Sequence, residues 1–462
     1  MTADKPVAAG SPGYIRRLGL FDAAMVVMGG IIGGGIFLNP SVVAQRAGTE
    51  TGVLITWLVG GVIALAGALC FAELGGRRPE AGGGYVYLAE AFGPLPGFLY
   101  GWTFLFVINA GGIAAIAVTF ARYSTDLAHL PAAAVTPTAL IAIILLTAVN
   151  YVGVQAGAAV QNVLTILKLA ALALLIIAGI AGPLHATGST SSDAAETVAS
   201  SGAGLSLRSL GVALPPVLFA YGGWAHANNV GGELRDGSRT LPRAIIVGVA
   251  GVILVYVLAN VAYLRALGVT RLAASAAPAS DVLRQVAGPT GATLIALGIV
   301  VSTAGFVNVC ILSAPRILQS MAADGLILPG AAKLHPRFHT PHVALIVQSA
   351  WAALLTLSGT YAQLLDYVIF GDWLFFGLIA ATLFRYRARD ARAEPAPPAS
   401  YRVPGYPVLP GIFVLTAAYV VGSSAISNPL NALIGAMIIA LGVPVFLWQR
   451  GRTRRPPPLH SV

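Results

Sequence analysis

Apolar runs long enough to cross a lipid bilayer recur along the sequence from residue 20 to residue 449. A membrane-spanning helix needs about 20 mainly apolar residues, because only an internally hydrogen-bonded helix satisfies its backbone within hydrocarbon. Only 10% of the residues are charged and 57% are hydrophobic, which is too little charge to cover a soluble surface. The sequence therefore predicts an all-α polytopic membrane protein embedded in a lipid bilayer.

Twelve transmembrane helices are predicted, and they are numbered here in chain order. They cover residues 20–46, 52–76, 93–124, 138–154, 158–182, 208–233, 242–266, 290–320, 342–358, 363–386, 407–424 and 430–449. The polar segments 183–206 and 267–289 are predicted to be loops. Residues 388–405 form a connector rich in proline and charge.

The basic residues are distributed unequally between the two sides of the predicted bundle. With the N-terminus in the cytoplasm, 20 of the 27 lysines and arginines are cytoplasmic and 6 are external. Cytoplasmic loops of membrane proteins carry such an excess, so both termini are expected to be cytoplasmic, in the cell (inner) membrane. The net charge of +10 is spread over short loops, so no nucleic-acid partner is expected. The 24 arginines against 3 lysines are typical of a GC-rich bacterial source.

Two predicted helices contain weak points at corresponding places. Helix 1 has five glycines within residues 29–35, each costing about 1 kcal/mol of helix propensity relative to alanine. Helix 6 has a proline pair at 215–216 and a glycine pair at 222–223. Small-residue packing between helices could explain one such segment. Two segments five helices apart instead favour an inverted repeat of helices 1–5 and 6–10, with a binding site at mid-membrane.

The ends of an interrupted helix suit a zwitterion. The N–H groups and the positive dipole end of the second half of helix 1 favour a carboxylate, whereas freed carbonyls favour an ammonium. Glycines let a ligand approach the backbone closely. An α-amino acid is therefore the expected substrate. The sequence contains no zinc-ligand spacing, catalytic triad or phosphate loop, so no metal or cofactor is expected and the protein is not expected to be an enzyme.

Several short motifs lie at and around the two weak points. They are Ile31-Ile-Gly-Gly-Gly-Ile-Phe37, Phe219-Ala-Tyr-Gly-Gly-Trp224, Leu241-Pro-Arg-Ala244, Ala314-Pro-Arg316, Met321-Ala-Ala-Asp-Gly325 and Tyr401-Arg-Val-Pro-Gly405. Together they resemble the amino acid–polyamine–organocation superfamily, and in particular its L-type amino acid transporter branch. The resemblance implies a five-plus-five inverted repeat with two further helices, which transports amino acids by alternating access.

The resemblance also implies how the chain is divided. The expected parts are a cytoplasmic segment 1–19, a first repeat 20–182, an external loop 183–207, a second repeat 208–387, a cytoplasmic connector 388–406, helices 11 and 12 within 407–449, and a cytoplasmic tail 450–462. Nothing in the sequence indicates whether an obligate partner subunit exists.

A substrate site follows from the same resemblance. The substrate carboxylate would be held by Gly33, Gly34 and Gly35. The amino group would be held by carbonyls of Ile31, Phe219, Ala220 and Gly222. Phe219 would also act as an aromatic gate, and Trp373 would line the side-chain pocket. The sequence departs from the family pattern at two positions, with Gly34 in place of serine or alanine and Ala225 in place of asparagine. A relative's preference for a substrate side chain therefore cannot be transferred to this chain. Neutral L-amino acids are the expected substrates.

Lys168 lies inside predicted helix 5, about 15 Å from its cytoplasmic start. A charge at that depth costs at least about 2.5–3.5 kcal/mol, so the ammonium needs partners. The expected partners are carbonyls near Gly29 and Gly30 and the hydroxyls of Ser302 and Thr303. By resemblance to sodium-independent relatives, this ammonium would replace a sodium ion. A purely structural tie, and coupling to protons through a neutral lysine, are the alternatives.

Other polar residues within the predicted helices leave further alternatives open. Asp372 could take up a proton or form a core hydrogen bond, and His226 could relay protons or form a satisfied polar contact. Asn109, Asn150, Asn260 and Asn308 are expected to form interhelical hydrogen bonds. A sodium-independent exchanger is favoured over a proton-coupled amino acid or polyamine symporter. An intramembrane enzyme is a remote alternative, because it needs convergent catalytic side chains.

Overall fold

A computed structural model describes residues 13–182, 207–359, 361–393 and 400–452. These residues are mainly helical, and the β-type pairing among them is one isolated bridge between Leu18 and Leu234. Eight of their helices are long and apolar enough to cross a membrane, and one bent pair makes a ninth. The prediction of an all-α polytopic membrane protein is confirmed. The predicted loop 183–206 lies outside the described residues.

Each of the twelve predicted spans contains a helix. Helix 1 consists of Leu20–Ile31 and Gly35–Ala47, and helix 6 consists of Leu207–Tyr221 and the short His226–Asn229. Helices 2 to 5 and 7 to 12 are Glu50–Arg77, Pro94–Leu127, Val135–Tyr151, Val154–Ala181, Gly237–Ala274, Pro278–Ser313, His342–Ser358, Tyr361–Asp390, Val408–Ser427 and Pro429–Arg452.

The prediction of a loop at 267–289 is wrong. Helix 7 continues to Ala274 and helix 8 begins at Pro278. The chain departs from helical geometry inside this region at Gly268, with φ 69°, and at residues 287–288. Glycine adopts positive φ without a steric penalty, and Gly268 and residues 287–288 interrupt the helical geometry, so short helices lie between helices 7 and 8. A further helix, Gly84–Phe92, lies between helices 2 and 3 and outside the twelve predicted spans.

The break in helix 1 occupies residues 32–34. Ile32 has an extended conformation, with φ −76° and ψ 92°, and the two halves of the helix are bent by 42°. Gly34 has helical angles, φ −78° and ψ −18°, and a Cβ atom there would meet nothing within 4 Å. The backbone angles therefore do not require glycine at this position. The open space beside Gly34 exists because glycine has no side chain to fill it.

Helix 6 runs through its proline pair and breaks afterwards, at Gly222 and Gly223. Pro216 has no N–H to donate to the carbonyl of Val212 one turn earlier. Nη1 of Arg46 donates to that carbonyl at 2.9 Å, and Nδ2 of Asn39 donates to the carbonyl of Pro216 at 2.7 Å. The second half of helix 1 thus supplies the donor that Pro216 lacks, and the proline pair does not interrupt the helix.

The two breaks meet where Gly30 and Gly223 pass each other. Gly223 has φ 111°, which an L-amino acid with a side chain rarely adopts. A Cβ atom at Gly223 would lie 2.2 Å from the carbonyl oxygen of Gly30, and one at Gly30 would lie 2.8 Å from the carbonyl oxygen of Gly223. The crossing therefore requires glycine in both helices.

The face that carries the N-terminal segment is closed by polar contacts. The backbone N–H groups of Arg17 and Leu18 donate to the carbonyl of Glu233 at 2.9 and 3.0 Å. The Glu233 carboxylate forms a buried ion pair with Arg316, with 2.9 Å between oxygen and nitrogen. Because these groups come from the N-terminal segment, the residues just after helix 6 and the short helix Pro315–Ala323 after helix 8, they hold three distant segments together at this face.

Gly223→Ala is expected to destabilise the protein, because the methyl group would collide with Gly30 and the positive φ would be strained. The melting temperature in detergent should fall by several degrees. Gly422→Ala is the matched control, since Gly422 is exposed and its added Cβ would meet nothing within 4 Å. Equal melting temperatures for Gly223→Ala and the parent protein would contradict the close crossing.

Candidate functional site

The two helix breaks line a cavity of about 290 Å³. Its wall is mainly apolar, with Ile108, Ile116 and Phe306 among the residues that face it. Every residue predicted to hold the substrate lies in the wall, namely Ile31, Gly33, Gly34, Gly35, Phe219, Ala220, Gly222 and Trp373. The fold therefore brings together residues that are nearly 350 positions apart in the sequence.

The start of the second half of helix 1 presents backbone N–H groups to the cavity. The first residues of a helix have no intrahelical acceptor for their N–H groups, and the dipole adds partial positive charge there. Gly33 donates its N–H to the carbonyl of Ile31 at 3.0 Å. None of the loop and cap hydrogen bonds among the described residues uses the N–H of Gly34 or Gly35. These two N–H groups are consequently the available donors for a carboxylate.

Carbonyl groups from both breaks lie on the same side of the crossing. The hydroxyl of Tyr256, on helix 7, lies 3.1 Å from the carbonyl oxygen of Ile31 and 3.3 Å from that of Ala220. Phe219 accepts from the N–H of Gly222 at 3.2 Å. Each carbonyl oxygen has two lone pairs. The carbonyls of Phe219 and Ala220 thus keep acceptor capacity for an ammonium, whereas that of Ile31 already has two donors beside it.

Tyr256 was not predicted from the sequence. Its residue type and its place in an apolar helix resemble those of many packed tyrosines, and its neighbours in helix 7 carry no glycine motif. Only the tertiary arrangement shows that its hydroxyl bridges the two broken helices.

Aromatic rings form the remaining part of the wall. The indole of Trp373 is buried, and its ring centroid lies 5.9 Å from that of Phe413 and 6.1 Å from that of Phe376. Phe219 is half-buried at the edge of the cavity. A Cβ atom at Gly33 would come within 3.3 Å of the ring of Phe306. A ligand bound at the glycines would therefore lie among rings from helices 6, 8 and 10.

Lys168 lies directly behind the break in helix 1, and its side chain is fully buried. Its ammonium donates to the carbonyls of Gly29 at 3.1 Å, Ile32 at 2.6 Å and Ser302 at 3.2 Å. All three ammonium donors therefore have acceptors. Two of these acceptors belong to the C-terminal end of a half-helix, where the dipole is negative and favours a cation.

The partners of Lys168 differ in part from those expected. Ser302 contributes its carbonyl to the ammonium, while its hydroxyl donates to the carbonyl of Gly33 at 3.1 Å. The hydroxyl of Thr303 donates within its own helix, to Ile299 at 2.8 Å. Gly30 instead forms the crossing with helix 6. The cation is consequently enclosed by backbone carbonyls and not by the expected pair of hydroxyls.

Three further polar residues line the cavity. Nδ1 of His226 lies 2.7 Å from the hydroxyl oxygen of Ser313, so the imidazole has a partner. Asp372 is half-buried in the wall. Asn109, which was expected to form an interhelical hydrogen bond, has no partner for Nδ2 or Oδ1 among the described residues. Asn150 and Asn308 do form such a bond, at 2.8 Å.

The cavity extends from the breaks toward the face opposite the N-terminal segment. Leu38 and Asn39, in the second half of helix 1, continue its wall in the direction of Arg46. Ile116 and Thr119 continue it toward the end of helix 3. On the other side, the Gly30–Gly223 crossing and the contacts of Glu233 close the path. The wall thus continues from the breaks toward one face, whereas the crossing and the contacts of Glu233 lie toward the other.

Comparison with known proteins supports a function in transport. The family model described as amino acid permease matches residues 18–447. A serine/threonine exchanger of Bacillus subtilis is 31% identical over 95% of this chain and 98% of its own. The human b(0,+)-type amino acid transporter 1 is 34% identical over 90% of this chain and 83% of its own. The mouse large neutral amino acids transporter small subunit 2 is 33% identical over 97% and 84%.

These relatives are transporters or exchangers, which confirms the prediction that this chain is not an enzyme, and 83% to 98% of their own length is matched. The region of this chain that the family model matches, residues 18–447, contains both broken helices and the cavity wall. This chain therefore belongs to the amino acid permease family of membrane transporters.

Proposed function

We propose that this protein exchanges L-α-amino acids, neutral ones in the first place, across the cell membrane without sodium. The observation that carries the proposal is the cavity at the crossing of the two breaks. It offers N–H donors at Gly34 and Gly35 on one side and carbonyls of Phe219 and Ala220 on the other. A carboxylate and an ammonium on the same carbon would satisfy both sets, and the mainly apolar wall suits an uncharged side chain.

Alternating access follows from the arrangement of the two faces. We infer that helices 1–5 and 6–10 are inverted repeats whose broken members, helices 1 and 6, share the substrate. The arginine-rich face with the N-terminal segment would be cytoplasmic, so the described conformation would be open to the outside. Opening toward the cytoplasm would require release of the Glu233–Arg316 pair and of the backbone contacts of Leu18.

Sodium independence is proposed from the surroundings of Lys168. Its ammonium occupies a position enclosed by three carbonyls, which is the kind of oxygen-rich site that would otherwise suit a cation such as sodium. A bound sodium ion and the ammonium would repel each other there. Exchange is preferred to proton symport because one relative, of Bacillus subtilis, is described as an exchanger.

Lys168→Met is expected to abolish transport and to lower the melting temperature, because three buried carbonyls lose their donors at about 1 kcal/mol or more each. Lys333→Met is the control, since Lys333 is exposed. Uptake by purified protein in liposomes and thermal unfolding in detergent are the two measurements. Parental uptake by Lys168→Met would show that the tie between helices 1, 5 and 8 is dispensable.

Gly34→Val is expected to abolish amino acid binding while the protein still folds. The backbone angles of Gly34 are accessible to valine, and the new side chain would fill open space at the carboxylate position. Binding by calorimetry and monodispersity by gel filtration test the prediction, with Gly422→Val as the folded control. Unchanged binding by Gly34→Val would remove the carboxylate site from this break.

The transport mode is tested in liposomes loaded with or without unlabelled amino acid. Uptake of labelled amino acid should require internal amino acid and should be equal in sodium and choline buffers. It should also be independent of an imposed pH gradient. Strict dependence of uptake on sodium would refute the proposal that the Lys168 ammonium replaces a sodium ion. Acceleration of uptake by a proton gradient, without internal amino acid, would establish proton symport instead of exchange.

A further inference from the structure

Asp372 and Asn109 are two polar side chains in the cavity wall that the amino acid backbone of a substrate would not use. Asn109 is 3% exposed, and neither Nδ2 nor Oδ1 has a hydrogen-bond partner among the described residues. No hydrogen bond or ion pair of the Asp372 carboxylate is found in the described part of the chain. Both residues face the same cavity as the two helix breaks.

The two side chains come from helices that touch each other. A Cβ atom at Gly371 would lie 3.3 Å from Cδ1 of Ile108, so helices 10 and 3 are in contact one residue before each of the polar residues. Asn109 ends a π-helical segment, Phe104–Asn109, within helix 3. Such segments are frequent at functional sites because the extra residue turns side chains out of the regular register.

The balance of charge in the cavity is unusual. Asp372 is the only acidic residue in its wall, and no lysine or arginine lines it among the described residues. His226 is occupied by its contact with Ser313. Lys168 is enclosed by carbonyls behind helix 1 and does not line the cavity. A carboxylate within the membrane is costly without a counter-charge, and residues of this kind commonly mark a substrate path.

We propose that Asp372 and Asn109 form a subsite for a positively charged substrate side chain, so that the transporter accepts cationic amino acids such as lysine beside neutral ones. This inference rests on the proposed amino acid transport and names a further substrate class for the same site. The side-chain ammonium of a bound lysine has three N–H donors. The carboxylate of Asp372 and Oδ1 of Asn109 can accept hydrogen bonds from them. Its bond to the carboxylate would be charge-assisted and therefore stronger than a neutral hydrogen bond.

Lysine and norleucine separate this subsite from the rest of the cavity, because norleucine has the same straight chain as lysine but lacks the ammonium. Binding of each amino acid would be measured by calorimetry on the purified full chain. The parent protein should bind lysine at least as tightly as norleucine. Asp372→Asn should weaken lysine binding by roughly 10- to 100-fold, as expected for a lost charged hydrogen bond, and should change norleucine binding little.

Two further variants complete the test. Asp126→Asn is the matched control, since Asp126 is an exposed acidic residue near the end of helix 3 and outside the cavity wall. Both affinities should be unchanged in it. Asn109→Leu should weaken lysine binding while it retains norleucine, and it provides a second test if Asp372→Asn does not fold.

The outcomes distinguish this subsite from the transport proposal. Norleucine binding without lysine binding in the parent protein would overturn the subsite and leave the transport proposal standing. Equal losses for both ligands in Asp372→Asn would assign that residue to packing and not to recognition of charge. Failure of the parent to bind any amino acid would refute the proposed function itself, and with it the subsite.

Discussion

The ammonium of Lys168 and the break in helix 1 depend on each other. A break inside the membrane exposes carbonyl groups that cannot be left without donors, because unsatisfied backbone costs several kcal/mol in hydrocarbon. Lys168 supplies donors to Gly29, Ile32 and Ser302 from the side away from the cavity. The lysine in turn needs those carbonyls, since its charge is fully buried. The cavity can therefore be built from unwound backbone because its rear is supported by this charge.

The positions of the breaks were predictable because they are encoded locally. The run at 29–35 and the pair at 222–223 lower helix propensity at the two interruptions, but the glycine pairs at 60–61 and 75–76 lie inside the unbroken helix 2. Lys168 was predictable for a similar reason, since a lysine in the middle of an apolar run demands partners. The resemblance to a known family then supplied the pairing of the two broken helices.

Features that arise from contacts between distant helices were not predictable. The bridge made by Tyr256, and the lack of a partner for Asn109 within the described part of the chain, depend on which side chains meet, and single residues carry no pattern for this. The segment 267–289 was misread because glycine, proline and charge are typical of loops, whereas here they interrupt a segment that is otherwise mainly helical. The hydroxyl of Thr303 was expected beside Lys168, but it donates instead to a carbonyl of its own helix, that of Ile299.

The hydrogen bonds around Pro216 have a mechanical consequence. Asn39 and Arg46 attach the second half of helix 1 to helix 6, and Nε2 of Gln45 attaches it to the carbonyl of Ala273 at 2.7 Å. The second half of helix 1 and the first half of helix 6 would therefore move as one rigid unit. Bending would concentrate at residues 32–34 and 222–225. A substrate bound across both breaks would contact the residues at which the two helices bend. Its binding would therefore directly change how easily the outer segments move.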